Sequence, residues 1–512
     1  MRVTDTESPS AGLSPTDEGA VESDRGDGPL GRQVTKSFRW SVAGQILTRI
    51  GVFATGIVLA RTLTPHDFGV YAVALAAFNL LMMLNEVGMV AAIVRAPDDE
   101  LTEAVRTGAT LAFAMSLIVA AVAFVAAPWF ASALGTAAAT GILRLFIVSL
   151  IIDGAMTAPM ALLGRAFKQG RMVAAEAGGL VVYMGTASAL AFAGAGPWSI
   201  AVGRVAASVV TGILLLIFSP RLPRPGLDRA QVRKLLRFGI PLTFAAIIAE
   251  AVMNVDYLVV GKVLGAASLG IYLLAFNLST WPVSAVLVAI GRVAFPAFAR
   301  VAHDRKRMAR AYVQAVGLIV TAIIPIVVLL AALSHQVIHV VYGDRWLPAS
   351  TPLRYLLVLA VGRVVIQTTL EFIAARGQPG TNLKIQAAWL IALTPALIFG
   401  ARRWGIAGVG VGHMTVVALW VAPLLAIAIH RAGVDLRDVG MQLLRPLLAA
   451  LGAWGAVELT LLAVHGAQLV ELVVAGAAGT VVYIALVAPF NPLVSWGIQQ
   501  VRPGRQVALA EA

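Results

Sequence analysis

The sequence predicts an all-α polytopic membrane protein. Its expected plan is about 14 transmembrane helices, in two parallel pseudo-repeated six-helix lobes plus two extra C-terminal helices, around a central cavity. Three observations carry this. Of the 512 residues, 59% are hydrophobic and only 13% are charged, where a soluble chain would carry roughly 25% charged residues. Apolar runs of about 20 residues, long enough for a ~30 Å hydrocarbon core, recur almost to the end; a membrane barrel would need alternating segments of ~10 residues instead. An internal echo is the third. Leu63, Phe68, Gly69 and Tyr71 return as Leu264, Leu269, Gly270 and Tyr272, and Arg61 returns as Lys262, all 201 residues later.

Residues 1–36 read as a disordered cytoplasmic tail, because Met1–Leu30 is rich in Ser, Pro, Gly and acids and too poor in apolar side chains to fold. It is not expected to be a signal peptide, because no apolar core or small-residue cleavage site follows a basic start. The N-lobe, 37–219, holds spans 40–60, 68–92, 107–127, 140–163, 172–195 and 197–219. A basic, proline-bearing cytoplasmic linker, 220–237, separates it from the C-lobe, 238–430, with spans 238–261, 269–291, 311–333, 353–375, 383–400 and 405–429. Residues 431–490 give an amphipathic interfacial segment, Arg431–Arg445, and spans 446–464 and 468–490; residues 491–512 form a cytoplasmic C-tail. The repeated hairpin is displaced by six spans. That even number gives both halves the same orientation, hence parallel repeats about an axis along the membrane normal with the substrate site between them.

Charge tests this count. With the N-terminus inside and strict alternation, 29 of the 39 Lys and Arg fall on the inner side, and five (Arg61, Lys262, Arg345, Arg402, Arg403) lie in outer loops. One missed span in the middle would invert everything after it and spoil that bias, so the positive-inside rule supports both spans and orientation. The expected location is therefore the cell (plasma or inner) membrane, multi-pass, with both termini cytoplasmic. The net charge of +13 is explained by these loops, and no nucleic acid partner is expected. The absence of cysteine removes disulfides, thiolate metal sites and a cysteine nucleophile.

The polar residues inside spans are the candidate site. Arg49, Arg144, Arg204, Arg354 and Arg363 lie within spans, as do Asn79, Glu86, Asp153, Glu250, Asn254, Asp256, Gln367 and Glu371, with Gln45 one turn before Arg49. Asn79 and Glu86 share a face of one helix, Glu250 and Asn254 share a face of another, and Arg363, Gln367 and Glu371 form an i, i+4, i+8 stripe. A charge facing lipid at mid-depth costs at least ~2.5 kcal/mol. Six or more would approach the whole net stability of a protein, about 5–15 kcal/mol. They are expected to face the bundle interior, either paired or around a polar cavity.

Other signals weaken on inspection. No phosphate-binding loop of the form G-x-x-x-x-G-K-[ST] is present. Gly408, Gly410 and Gly412 lie in an apolar helix and predict close helix packing. His335 and His339 have metal-ligand spacing without a third ligand, so neither metal nor cofactor is expected. The longest outer loop, Ser334–Pro352, carries one acid, Asp344, which argues against an enzyme presenting carboxylates to an aqueous substrate.

Four stretches carry a family resemblance. Leu59-Ala-Arg-Thr-Leu-Thr-Pro-His-Asp-Phe-Gly-Val-Tyr71 resembles the first-hairpin signature of the polysaccharide transport family of flippases, in the multidrug/oligosaccharidyl-lipid/polysaccharide exporter superfamily. Asp256–Tyr272 is similar to the second-half signature, and Val293–Phe298 and Tyr342–Ala349 are similar to further hallmarks. The resemblance covers roughly Ser37 to Pro489 and implies a flippase moving polyprenyl-diphosphate-linked oligosaccharide from the inner to the outer leaflet. The product would be O-antigen, capsule or exopolysaccharide, with membrane lipids, a polysaccharide polymerase and glycosyltransferases as the partners the resemblance implies. On that reading Arg49 and Arg363, then Arg144 and Arg204, are the first candidates for the diphosphate, because guanidinium matches phosphate bidentately. Gln45, Asn79, Asn254 and Gln367 would meet sugar hydroxyls. Glu86, Asp153, Glu250, Asp256 and Glu371 would couple an ion or pair the arginines. The family motifs fix none of these roles. The alternatives are a cation-coupled multidrug or small-molecule exporter of the same fold, with an acid-dominated aromatic cavity, and a peptidoglycan-precursor flippase.

Overall fold

The computed structural model describes residues 48, 50–86, 89–97, 99–166, 168–220, 224–300, 304–376 and 379–487. Among them every regular element is a helix. The N-lobe comprises α1 (Ile50–Thr62), α2 (Pro65–Glu86), α3 (Met89–Arg95), α4 (Leu101–Ala133), α5 (Ala139–Arg165), α6 (Gln169–Phe192) and α7 (Trp198–Phe218). The C-lobe comprises α8 (Arg229–Leu264), α9 (Ala266–Arg300), α10 (Arg305–Ala332), α11 (Ser334–Val341), a 3₁₀ segment Asp344–Ala349, α12 (Ser350–Ala375), α13 (Pro379–Val416), a π turn Val417–Val421 and α14 (Ala422–Arg431). The extra pair, α15 (Leu436–Ala463) and α16 (Gln468–Val487), packs on α10 and α11.

Among the described residues ten segments are long and apolar enough to cross a membrane, one of them the 48-residue Lys384–Arg431. At 1.5 Å per residue that segment is far longer than one crossing. It folds back at Trp404 and Gly405, where Gly405 takes φ +60. Cβ atoms at Gly400 and Gly408 would lie 2.2 and 1.9 Å from each other's carbonyl oxygen, so the two arms touch backbone to backbone. Dividing that segment and counting α1, α2 and α8 as well gives fourteen, the number of spans in the sequence reading. The interfacial segment expected at Arg431–Arg445 is, from Leu436 onward, the opening of α15 rather than a separate element. Large aliphatic side chains on α4 and α15 face outward, with Val125 80% and Leu451 71% exposed, as a lipid-facing surface requires.

The repeat meets itself at the α1–α2 hairpin. A Cβ on Gly69 would sit 1.7 Å from the carbonyl oxygen of Ala266, and one on Gly270 would sit 1.9 Å from that of Pro65. Both pairs are related by the 201-residue offset, so the contact is reciprocal about the pseudo-two-fold axis. Four cross-lobe hydrogen bonds from three side chains surround it. Trp346, fully buried, donates its indole N–H to the Ala60 carbonyl at 2.7 Å. Arg61 donates to the carbonyls of Val340 and Val341, and Arg345 donates to that of Leu63 at 3.1 Å. Phe68 meets the Trp346 ring edge-on at 4.9 Å. Three of the four signature stretches thus converge on this hairpin end.

At the opposite, linker end the lobes are joined differently. Glu100 accepts from Lys234 at 2.7 and 2.8 Å and from Gln231 at 2.7 Å. The Gly226 and Asp228 backbone N–H groups donate to Thr110 and Thr107, and Leu235 packs on Met89, Ala92 and Ala112. Water reaches the ion pair and screens it. The linker end is therefore the weaker of the two closures.

Alanine at Gly69 or Gly270 should cost about 1–3 kcal/mol, the usual range for forcing atoms into a packed contact, read as a lower midpoint of thermal unfolding in detergent; an unchanged midpoint would contradict the contact. The linker end should also respond to acid. The hydrogen bonds from Lys234 and Gln231 hold the Glu100 carboxyl below its usual range. The tie is therefore present above the unfolded pKa and lost as pH falls through the depressed folded value. Hydrogen exchange of residues 229–236 should speed up on acidification beyond its intrinsic pH dependence, and Glu100→Gln should show the fast rate already at neutral pH.

Candidate functional site

Between the lobes lies a cavity of about 780 Å³, lined by Val52, Phe53 and Gly56 of α1, Asp153 of α5, Glu176 and Tyr183 of α6, Arg204, Ser208 and Thr211 of α7, and Asn277, Thr280 and Trp281 of α9. It adjoins a second space of about 350 Å³ lined by Phe78, Asn79, Ser149, Asp153, Arg204, Ser208 and Glu250. Asp153, Arg204 and Ser208 belong to both.

Small residues set these walls. A Cβ on Gly179 would meet the Thr211 hydroxyl at 2.0 Å and one on Gly203 would meet the Ala187 side chain at 2.8 Å, so α6 and α7 lie close enough to aim Glu176 and Arg204 into one space. Gly154 would similarly collide with Ser116. Ser116 donates to the Asn85 side-chain oxygen, and Asn85 donates to the Leu150 carbonyl at 3.2 Å, which ties α2, α4 and α5 together beneath the cavity. On the open side, Phe53 of α1 and Trp281 of α9 stack at 5.0 Å across the lobes.

The arginines expected in one site occupy different places. Arg204 is exposed to the cavity and stands over the Phe78 ring at 5.8 Å. Arg144 is a correction to the sequence reading. It is exposed and folded back onto its neighbour helix, 4.7 Å over Phe124 with Nε to the Phe124 carbonyl, and it lines neither space. Phe124 is itself 48% exposed, so Arg144 covers an outward aromatic surface instead. Arg363 lies 4.9 Å over Phe276 with its Nε buried and without a hydrogen-bond partner among the described residues; it too is absent from the lining. Arg49 and Gln45 lie outside the described residues, and so does the side chain of Glu86.

The amides and acids are more closely grouped. Asn79 donates to Asn254 at 3.3 Å, and Asn254 donates to the Glu250 carboxylate at 2.7 Å, a chain crossing from α2 to α8. Asp153 reaches both spaces. Gln367 donates to Glu371 at 2.9 Å, closing the stripe on itself. Asp256 is fully buried and belongs to a separate cluster in the C-lobe. Among the described residues the two spaces thus present one guanidinium, Arg204, and three carboxylates, Asp153, Glu176 and Glu250. Glu176 escapes a sequence reading because it falls in the first turns of its predicted span, where a charge needs no explanation. Asn85 escapes because it lies off the helix face that Asn79 and Glu86 share. His413 escapes because it sits inside a glycine-rich apolar run. His339 pairs with Asp344 at 2.8 Å, and no group of three or more His, Cys, Asp or Glu able to hold a metal is found among the described residues.

Comparison with known proteins bears on what such a cavity does. A family profile described as "Polysaccharide biosynthesis protein" matches residues 58–351. The succinoglycan biosynthesis transport protein ExoT of Rhizobium meliloti is 27% identical over 72% of this chain and 75% of its own length. The lipopolysaccharide biosynthesis protein WzxC of Escherichia coli is 24% identical over 74% of this chain and 77% of its own. Among solved structures, the lipid II flippase MurJ in an inward closed conformation superposes with a TM-score of 0.75 at 14% identity, covering 88% of this chain and 98% of that one. An inward-facing multidrug transporter of the MATE family gives 0.57 at 15% identity over 75% and 95% of the two chains. At those identities the structures speak for the fold alone.

Proposed function

The chain belongs to the polysaccharide biosynthesis protein family, and from that premise we propose how its inter-lobe cavity works. It is a multi-pass membrane flippase that moves lipid-linked oligosaccharide for surface polysaccharide biosynthesis. The observation that carries this reading is a polar cavity between two pseudo-repeated lobes, walled by Arg204, Asp153, Glu176 and Glu250 and edged by an aromatic pair from opposite lobes.

The cargo is a polyprenyl-diphosphate-linked oligosaccharide for O-antigen, capsule or exopolysaccharide, carried from the inner to the outer leaflet by alternating access. Its headgroup would lose several hydrogen bonds in hydrocarbon, and each unsatisfied polar group there is costly; a wet, polar cavity removes that barrier. Carboxylates are acceptors only, so Asp153, Glu176 and Glu250 take hydroxyl donors of the sugars, with Asn79 adding an amide. Arg204 takes the diphosphate, together with Arg49, and with Arg363 once it turns toward the site. The prenyl chain stays in lipid and passes beside Phe53 and Trp281, where α1 and α9 meet. The weaker linker end faces the cytoplasm, as do both termini, and opens to load; the hairpin end opens to release. The protein sits in the cell membrane, moves its cargo without catalysing a covalent step, and works between the glycosyltransferases that build the unit and the polymerase that consumes it.

The one-to-three balance of guanidinium and carboxylate favours one competing reading, a cation-coupled exporter of cationic small molecules. The two separate by experiment. Loss of one charge-assisted hydrogen bond set, about 1.5–3 kcal/mol, corresponds to roughly 10–100-fold in affinity. In cells lacking the native gene, Arg204→Ala, Arg49→Ala and Arg363→Ala should each reduce surface glycan by that order at native protein level, with Arg204→Lys intermediate. Normal surface glycan in all three alanine variants would contradict the flippase reading. Drug sensitivity caused by Asp153→Asn and Glu176→Gln, with glycan intact, would establish the exporter.

A further inference from the structure

A groove of about 1000 Å³ opens between α10 and α15, away from the inter-lobe cavity. It lies at the linker end. The chain leaves the hairpin end along α9 from Ala266 and starts α10 where α9 delivers it. The start of α15 is held beside the start of α10, because Arg305 donates to the Arg431 carbonyl at 2.9 Å. Asp435 then caps α15 by accepting from the Arg437 backbone N–H at 2.9 Å. A Cβ on Gly317 would lie 2.9 Å from the Gln442 side-chain oxygen, so α15 seats against α10 and the groove runs along their seam. Both signs of charge face it. Lys306 and Arg310, one turn apart on α10, and Arg445 of α15 supply three cations, and Asp435 and Asp438 supply two carboxylates. Among the described residues neither Lys306 nor Arg310 is ion-paired with either carboxylate. Arg307, which does not line the groove, pairs with Asp304 at 3.3 Å.

The groove also continues into apolar surface. Leu444 lines it, and Leu444, Leu448 and Leu451 form an i, i+4, i+7 stripe on one face of α15. All three are exposed, on a helix long and apolar enough to cross a membrane. The occupant therefore has a polar head and an apolar tail. Its head is set by the charges. Guanidinium matches phosphate bidentately, and Lys306 adds a point charge. The carboxylates only accept hydrogen bonds, whereas a primary ammonium offers three donors. A head carrying a phosphate and a primary ammonium meets both sets at once. A purely anionic head would satisfy the cations but bring its charge beside Asp435 and Asp438. A quaternary ammonium has no N–H to give them. A soluble phosphoamine would leave the leucine stripe unused.

We propose that the α10–α15 groove is a binding site for an aminophospholipid of the leaflet at the linker end. Lys306, Arg310 and Arg445 take its phosphate, Asp435 and Asp438 take its ammonium, and its acyl chains lie along the leucine stripe of α15. The lipid thereby fastens the extra helix pair, which lies outside the repeat, to the C-lobe. The site does not rest on the flippase reading, and its test needs no transport.

The test uses purified full-length protein, delipidated in detergent and titrated separately with phosphatidylethanolamine, phosphatidylcholine and phosphatidylglycerol of identical acyl chains. Native mass spectrometry counts the bound lipid. Wild type should bind phosphatidylethanolamine about 3–5-fold more tightly than either of the others, the size of one exposed charge pair. Asp438→Asn should bring phosphatidylethanolamine down to the level of phosphatidylcholine. Asp435 is kept, because it caps α15. Arg310→Gln should weaken binding of all three lipids by a similar factor and leave the ratio of phosphatidylethanolamine to phosphatidylcholine unchanged, and Lys306→Gln should repeat that result. All three replaced side chains are exposed. Equal binding of phosphatidylethanolamine and phosphatidylcholine by wild type would overturn the proposal. So would tighter binding of phosphatidylglycerol, or an Asp438→Asn protein that keeps the wild-type preference.

Discussion

The structure hangs on a reciprocal contact between two glycines. Gly69 and Gly270 occupy equivalent places in the two halves, and each brings its helix onto the backbone of the other half's hairpin, at Ala266 and Pro65. No side chain fits there, so α2 and α9 cross at backbone distance. With the helices that close, the hairpin carbonyls of Ala60, Leu63, Val340 and Val341 fall within reach of Trp346, Arg345 and Arg61. Membrane helices gain little from hydrophobic burial against one another, so small-residue packing and interhelical bonds must hold them. The hairpin end uses both devices, and the linker end uses a water-exposed ion pair and a small apolar cluster. That difference gives an alternating-access machine a preferred side to open first.

The repeat explains how much of this was legible in the chain. Charge alternation and apolar run length need only local composition, so the spans, the two-lobe plan and the extra pair could be read directly. Gly69 and Gly270 stood out because the echo repeated them, and their role as contacts follows from what glycine alone permits. The site was less legible. Depth in a helix says that a charged residue faces inward or pairs, but not toward which space. Arg144 satisfies its charge against Phe124 and a backbone carbonyl on an outer face. Gln367 and Glu371 satisfy each other along one helix. Only the angular position of α7 relative to α6, fixed by glycine contacts between helices, singles out Arg204.

The cavity also revises the electrostatic expectation for an anionic cargo. One guanidinium among three carboxylates is a poor trap for a diphosphate alone, yet suits a headgroup that is mostly sugar hydroxyl. Weak anion binding has a mechanistic advantage, since a carrier that held the diphosphate strongly in one leaflet would release it slowly in the other.

The central claim is that the glycine contact closes the hairpin end and must part during transport. The sequence contains no cysteine, so single spin labels can be placed cleanly at His66 and Ala267, both exposed and related by the repeat. The measurement is the distance distribution between labelled His66→Cys and Ala267→Cys in lipid nanodiscs, with and without a polyprenyl-diphosphate oligosaccharide. The account predicts one short distance without cargo and a second, longer population with it. A single unchanged short distance, in a doubly labelled protein that still moves its cargo, would contradict it.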